Sequence, residues 1–268
     1  MPTTDLNTPG WWGGEDRASG RPSILGLIDN GTLDLRTGAL LWLLVDRKSS
    51  ILAAAGPQLA GKTTLLTALL DLMPPAYRKI LTLGRQEDFS FLKDAMPEET
   101  YLLVAELSDH TPAYLWGDAV KKLFDALDMG YSMLATMHAD TPEKALALLR
   151  AHPVFIPDSQ LHFVGVVVNL VLTYGEHELM RRVSRVTLIA PGPSLVQLVD
   201  WDPQQDSVSH SDDPASMGAL AALVGMAAQD VESSLEKRED ALRDRVAKGG
   251  LEPSDAARLA ETYRRANA

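Results

Sequence analysis

At 268 residues with 46% apolar content, the chain is long enough to bury a sizeable core, as one α/β domain with appendages or as two small domains. A formal net charge of −11 argues against a broad grip on nucleic acid or anionic lipid, because both need a surplus of Lys and Arg. The absence of cysteine excludes disulfides, thiolate metal sites and Cys nucleophiles and fits a reducing cytosol; the six histidines lack ligand spacing such as H-x-x-x-H, so no structural metal is expected.

Residues 1–22 lack the basic-then-apolar layout of a secretion signal and, with Trp11 and Trp12 set among glycines, read as a flexible leader. Residues 23–28 suit a short amphipathic helix ending at Asn30-Gly31, and 34–47 a second with Leu40, Leu41, Leu43 and Leu44 buried. The apolar run at 50–55 suits a buried strand, and 64–72 the helix after it, closed by Pro74-Pro75. Further strands are expected at 79–83, 100–105 and 132–137, the last reached through a helix over 114–129. Strands alternating with helices predict a mainly parallel sheet covered on both faces.

Beyond a helix at 142–151 the character changes. The β-branched runs at 164–173 and 183–190, separated by Gly175-Glu176-His177, read as a hairpin, with 195–199 as a further strand. Residues 164–201 thus form a small antiparallel extension of a domain spanning 23–201. Residues 202–215 read as a polar linker, and 216–268 as a helical segment with a break at Gly249-Gly250. The longest apolar stretches, 39–45 and 164–172, are far too short to cross a bilayer, so a soluble protein is expected.

Between the first strand and its helix the chain reads Gly56, Pro57, Gln58, Leu59, Ala60, Gly61, Lys62, Thr63, a complete G-x-x-x-x-G-K-[ST] pattern. Gly56 and Gly61 let the backbone curl around a polyphosphate so that successive N–H groups point inward, and the helix adds its positive dipole end. Lys62 is expected to reach the β- and γ-phosphates, Thr63 to ligate Mg²⁺, and Thr64 to hydrogen-bond the α-phosphate. A nucleotide-hydrolysing site also needs an acid at a neighbouring strand end. Glu106, which closes the run 101–105, fits that need, with Asp109 in reserve. His138, directly after the strand at 132–137, is positioned to sense the γ-phosphate.

On these residues the chain resembles the type II/type IV secretion ATPases, including Tad-type pilus motors and archaeal pilus and archaellum motors. The matching stretches are Leu27-Ile28-Asp29-Asn30-Gly31-Thr32-Leu33, the phosphate loop with its helix, and Leu102-Leu103-Val104-Ala105-Glu106, which is similar to an atypical Walker B strand. Residues 130–140, ending in Thr136-Met137-His138-Ala139-Asp140, resemble the family's His box and discriminate best. Val167-Val168-Asn169-Leu170 and Arg181-Arg182-Val183 resemble the strands that follow, and the tail around Glu236-Lys237-Arg238 the helices that close the archaeal-type members.

The resemblance implies a RecA-like P-loop NTPase core that binds and hydrolyses Mg·ATP at the interfaces of a homohexameric ring. It implies a cytoplasmic location against a secretion or pilus membrane platform. Lys62, Glu106 and His138 would then be the catalytic residues, and Thr63 and Glu106 the metal ligands. Gly84-Arg85 stands where the family carries an acidic pair, and Glu87-Asp88 follows three residues late. Glu87, Asp88 and Glu106 therefore remain alternatives for the general base. Ser108 replaces an expected Arg, the Arg-rich stretch before Walker B looks deleted, and the family's large N-terminal domain looks absent. Such a shortened member is expected to turn over slowly, to depend on a partner, or to serve as a nucleotide-binding regulator.

Overall fold

A computed structural model describes Thr4–Asp5 and residues 20–174 and 179–267. Trp11, Trp12 and the expected turn at Gly175-Glu176-His177 lie outside these residues. Within 1–22, two segments are tied down rather than free. Thr4–Asp5 (β1) pairs antiparallel with Ile80 and Leu81, and Arg21 makes a bidentate ion pair with Asp71 at 2.8 and 2.6 Å.

Helix α1 (Ile24–Asp29) starts where the Ser23 hydroxyl accepts from the N–H groups of Leu25 and Gly26, and α2 (Leu35–Asp46) where the Asp34 carboxylate accepts from Thr37. The apolar Ile51–Ala54 (β2) has no polar face and is buried throughout. Then come α3 (Lys62–Leu70), β3 (Arg78–Leu81), β4 (Thr100–Val104), α4 (Asp118–Asp128), β5 (Ser132–Met137) and α5 (Pro142–Arg150). The chain continues through β6 (Val166–Tyr174), β7 (Leu179–Ala190), β8 (Ser194–Asp202) and β9 (Ser207–His210) to α6 (Pro214–Val224), α7 (Ala228–Ala247) and α8 (Pro253–Ala266).

One sheet runs in the order β1-β3-β4-β5-β2-β6-β7-β8-β9. The five central strands, β3 to β6, are parallel, and β7, β8 and β9 extend the sheet antiparallel. Side chains alternate between two cores. Ile51 and Ala53 of β2 pack with α1, α2, α3 and the C-terminal helices, while Leu52 and Ala54 face α4 and α5. Because β5 separates β2 from β4, the chain crosses over β2 on its way from β5 to β6. That reversal opens a crevice at the carboxyl ends of the strands.

Three expectations need correction. Residues 202–215 do not run as a linker: Ser207–His210 closes a hairpin on β8, and α6 already starts at Pro214. Their polar character reflects a sheet edge whose side chains are mostly solvated rather than missing strand structure. The helix expected from 114 starts at Asp118, because 108–116 fold back over the sheet end, with Leu107 bridging Leu115. The C-terminal helix breaks at Gly225 as well as at 249–250, since Gly225 takes a left-handed cap.

The C-terminal helices share the α2 core through Leu220, Val231, Leu235, Leu242 and Ala260. At the centre of that contact the Asp46 carboxylate, 8% exposed, accepts from Arg238 Nη2 at 2.7 Å and from Arg264 at 3.0 and 2.7 Å. The Arg238 guanidinium also stacks on Tyr263, 4.6 Å from the ring centroid. Removing Asp46 would take the charge partner from the Arg238 guanidinium, which is at least as buried. Asp46→Ala is therefore expected to lower the unfolding free energy by about 3 kcal/mol, read from the urea midpoint; an unchanged midpoint would show the tie to be dispensable.

Candidate functional site

The loop after β2 turns into α3 at Gly61, whose φ of +99° is a left-handed conformation that suits glycine. Helix α3 begins at Lys62, two residues earlier than the sequence pattern suggests. Lys62, Thr63 and Thr64 thus occupy the first turn, where backbone N–H groups have no intrahelical partner and the helix dipole is positive. The loop lies against the end of β5. A β-carbon at Gly56 would come within 1.5 Å of Asp140 Oδ1, so any side chain there must first displace that carboxylate.

Gln58, Leu59, Ala60, Gly61, Lys62, Thr63 and Thr64 form one wall of a cleft of about 590 Å³, and Ala105, Glu106, Tyr114, Thr136, His138 and Arg181 form the other. Gly56 and Pro57 are not among its walls. Lys62 is buried, and burial holds its ammonium below the usual lysine range, opposed by the Glu106 carboxylate. Glu106 is 7% exposed, and its Oε1 has no hydrogen-bond partner. His138 ties the start of the loop to Glu106: Nδ1 is 3.2 Å from the Gly56 carbonyl and Nε2 is 3.4 Å from Glu106 Oε2. A carbonyl only accepts, so Nδ1 carries a proton. Asn169 of β6 steadies this corner by donating to the carbonyl of Asp140 at 3.1 Å.

The other expected acids lie elsewhere. Glu87 is buried, but its two oxygens accept from the N–H groups of Leu83 and Phe89 at 2.8 and 2.9 Å, so it caps its own turn. Asp88 is exposed and accepts from Ser90. Neither Glu87 nor Asp88 lines the cleft, and Asp109 faces a separate hollow with Arg85 and Trp116.

Three features escaped the sequence reading. Arg181 reaches across from β7 and donates from Nε to the Leu59 carbonyl at 2.9 Å, placing a cation beside the loop. His110 brings Nδ1 to 3.5 Å from Glu106 Oε1. Gly84 explains why an acid is missing from its strand end: with φ +68°, its missing side chain leaves room for the backbone of Pro112 and Ala113, which a β-carbon would approach to 2.4–2.5 Å. Arg85 N–H donates to the Pro112 carbonyl at 3.0 Å and Arg85 Nη2 to the Asp109 carbonyl at 2.7 Å. The 108–116 loop is therefore clamped over the strand ends. An E-x-x-x-H spacing, with a further His at the next strand end, was the available signal for His110.

No family model matches the chain. Uncharacterized protein MJ1287 of Methanocaldococcus jannaschii is 26% identical over 251 residues, covering 81% of this chain and 89% of that one. Uncharacterized protein MJ0900 of the same organism is 23% identical over 215 residues; the match covers 69% of this chain and 37% of that longer protein. Among solved structures, the Yersinia pseudotuberculosis ATPase DotB aligns with a TM-score of 0.42 at 12% identity, covering 88% of this chain and 62% of that one. A likeness of that size carries no chemical inference.

Backbone atoms cannot yield as a flexible side-chain tip can, so Gly84→Ala must push the 108–116 loop outward. The substitution is expected to lower stability by about 1–3 kcal/mol and to expose amides 107–116 to faster hydrogen exchange. Unchanged exchange there would refute the clamp.

Proposed function

We propose that this chain is an ATPase that binds Mg·ATP in the cradle built from Gly56, Gly61, Lys62, Thr63 and Thr64. The observation that carries the reading is the juxtaposition of a phosphate-type loop at a helix N-terminus with a buried carboxylate, Glu106, across one cleft. The residues fit the ligand: the cleft offers backbone donors, two cations in Lys62 and Arg181, and a carboxylate oxygen without a hydrogen bond. Thr63 and Glu106 would hold Mg²⁺, which when bound neutralises charge on the β- and γ-phosphates.

Lys62 binds the β- and γ-phosphates, and their charge relieves the cost of burying its ammonium. Glu106 orients the attacking water and accepts its proton at the free Oε1. His138, held by Gly56, couples occupancy of the γ-phosphate position to the loop and to β5. The wider role, a homohexameric motor driving secretion or pilus assembly from the inner face of the membrane, is supported by the resemblance of residues 27–33, 56–72, 102–106 and 130–140 to the secretion ATPases. No helix among the described residues is long and apolar enough to cross a membrane, which accords with attachment through partners.

A second reading is a nucleotide-binding regulator of such machinery. The engagement of Glu87 by its own backbone favours it, because one of the alternative bases is consumed.

Phosphate release at saturating Mg·ATP separates the two readings. Turnover that falls about 10²-fold or more in Glu106→Gln, with nucleotide still bound, supports the ATPase; tight binding without release by the parent chain supports the regulator. Lys62→Ala is expected to weaken ATP binding about tenfold to a hundredfold, the loss of one charge-assisted contact, measured by calorimetry. Unchanged affinity would overturn the cradle assignment.

A further inference from the structure

Among the described residues, Glu106, His110 and His138 bring one ligand atom each to within 4.8 Å of one another. Each histidine approaches a different oxygen of the carboxylate: His138 Nε2 lies 3.4 Å from Glu106 Oε2 and His110 Nδ1 lies 3.5 Å from Glu106 Oε1. Ligands about 2.0–2.2 Å from a four-coordinate ion stand roughly 3.4 Å apart. The two imidazole rings lie 5.6 Å apart between centroids, with planes tilted by 53°.

The proton inventory argues further. The hydrogen bond to the Gly56 carbonyl commits a proton to His138 Nδ1, so Nε2 is the nitrogen turned toward the Glu106 carboxylate. That nitrogen and Glu106 Oε2 stand 3.4 Å apart, a spacing that two ligands of one ion can share. An N–H donated to a backbone carbonyl is also the usual support that orients a metal-binding imidazole. Glu106 Oε1, in a residue more than nine-tenths buried, lacks any hydrogen bond and faces the same space. The third ligand is carried by the 108–116 loop, which Gly84 and Arg85 hold in place.

The geometry points to a site for a divalent transition-metal ion of the zinc or cobalt class, bound by Glu106, His110 and His138 with at least one further position open to water. Two imidazoles and one carboxylate select such ions over Mg²⁺, which prefers oxygen ligands. The site differs from the magnesium position, which pairs Thr63 with the same Glu106, in its two histidine ligands, and it needs no nucleotide. It goes beyond the proposed hydrolysis, yet it shares Glu106 with it: while the ion holds this carboxylate, the carboxylate cannot serve the attacking water.

The test uses untagged, nucleotide-free protein titrated with Zn²⁺ by calorimetry and with Co²⁺ by visible absorption. One equivalent should bind in the presence of excess Mg²⁺, with affinity falling about tenfold or more in His110→Ala and in His138→Ala. His152→Ala, off the site, and Lys62→Ala should retain the binding. His110 is more than half exposed and does not line the phosphate cleft, so its substitution leaves fold and ATP affinity intact. No saturable binding, or binding unchanged in both site-histidine variants, overturns the proposal. Since no nucleotide is present, either result is independent of the ATPase reading, which fails separately if Mg·ATP does not bind.

Discussion

The site depends on one imidazole. His138, at the end of β5, bridges the Gly56 carbonyl at the end of β2 and the Glu106 carboxylate beyond β4. Because β5 lies between those two strands, a single ring spans three consecutive strand ends and fixes the width of the cleft. Met137 and Thr136 extend the same tie. The Met137 carbonyl accepts from Ala55 N–H at 3.3 Å, and the Thr136 hydroxyl donates to the Ala105 carbonyl at 2.6 Å. The loop that turns toward α3 and the strand that delivers Glu106 are therefore tied to each other through β5.

Much of this arrangement is legible in the sequence because its signals are local. The phosphate loop, the buried strand before it and the acid closing 101–105 each announce themselves within a few residues. Features that depend on tertiary approach do not. Gly84-Arg85 looks like a loss in the sequence, but in the structure it makes room for residues 112–113, which sit almost thirty positions away. Glu87 looks like a displaced base, whereas both its oxygens are bound to neighbouring amides. The strand at Ser207–His210 is mostly polar because it forms the outermost edge of the sheet, where Val208 packs against the core while Ser207 and Ser209 stay exposed. Its composition therefore matches that of a linker.

Charge is handled locally rather than by the molecule as a whole. With a net charge of −11, the long-range field of the chain repels a polyphosphate. Under the proposed reading, attraction would come from groups within a few ångströms: the first-turn amides of α3, the buried Lys62 and the Arg181 guanidinium held on the Leu59 carbonyl. Burial makes these contacts stronger by lowering the local dielectric, and it makes unpaired charge more costly for the same reason. Lys62 shows the second effect, since its ammonium is disfavoured until an anion joins it.

Glu106 concentrates the remaining demand. Glu87 is occupied by backbone and Asp109 faces another hollow, so of these acids Glu106 is the one that lines the described cleft. Its Oε2 is 3.4 Å from His138 Nε2 and its Oε1 is 3.5 Å from His110, yet Oε1 has no hydrogen bond to satisfy it. A buried carboxylate oxygen left in that state is costly unless something completes it. A water awaiting activation, a proton on the imidazole and a metal ion all answer the same electrostatic need. The ion also gives a role to the second histidine, which a loop clamped by backbone contact at Gly84 brings to the carboxylate and which does not line the cleft.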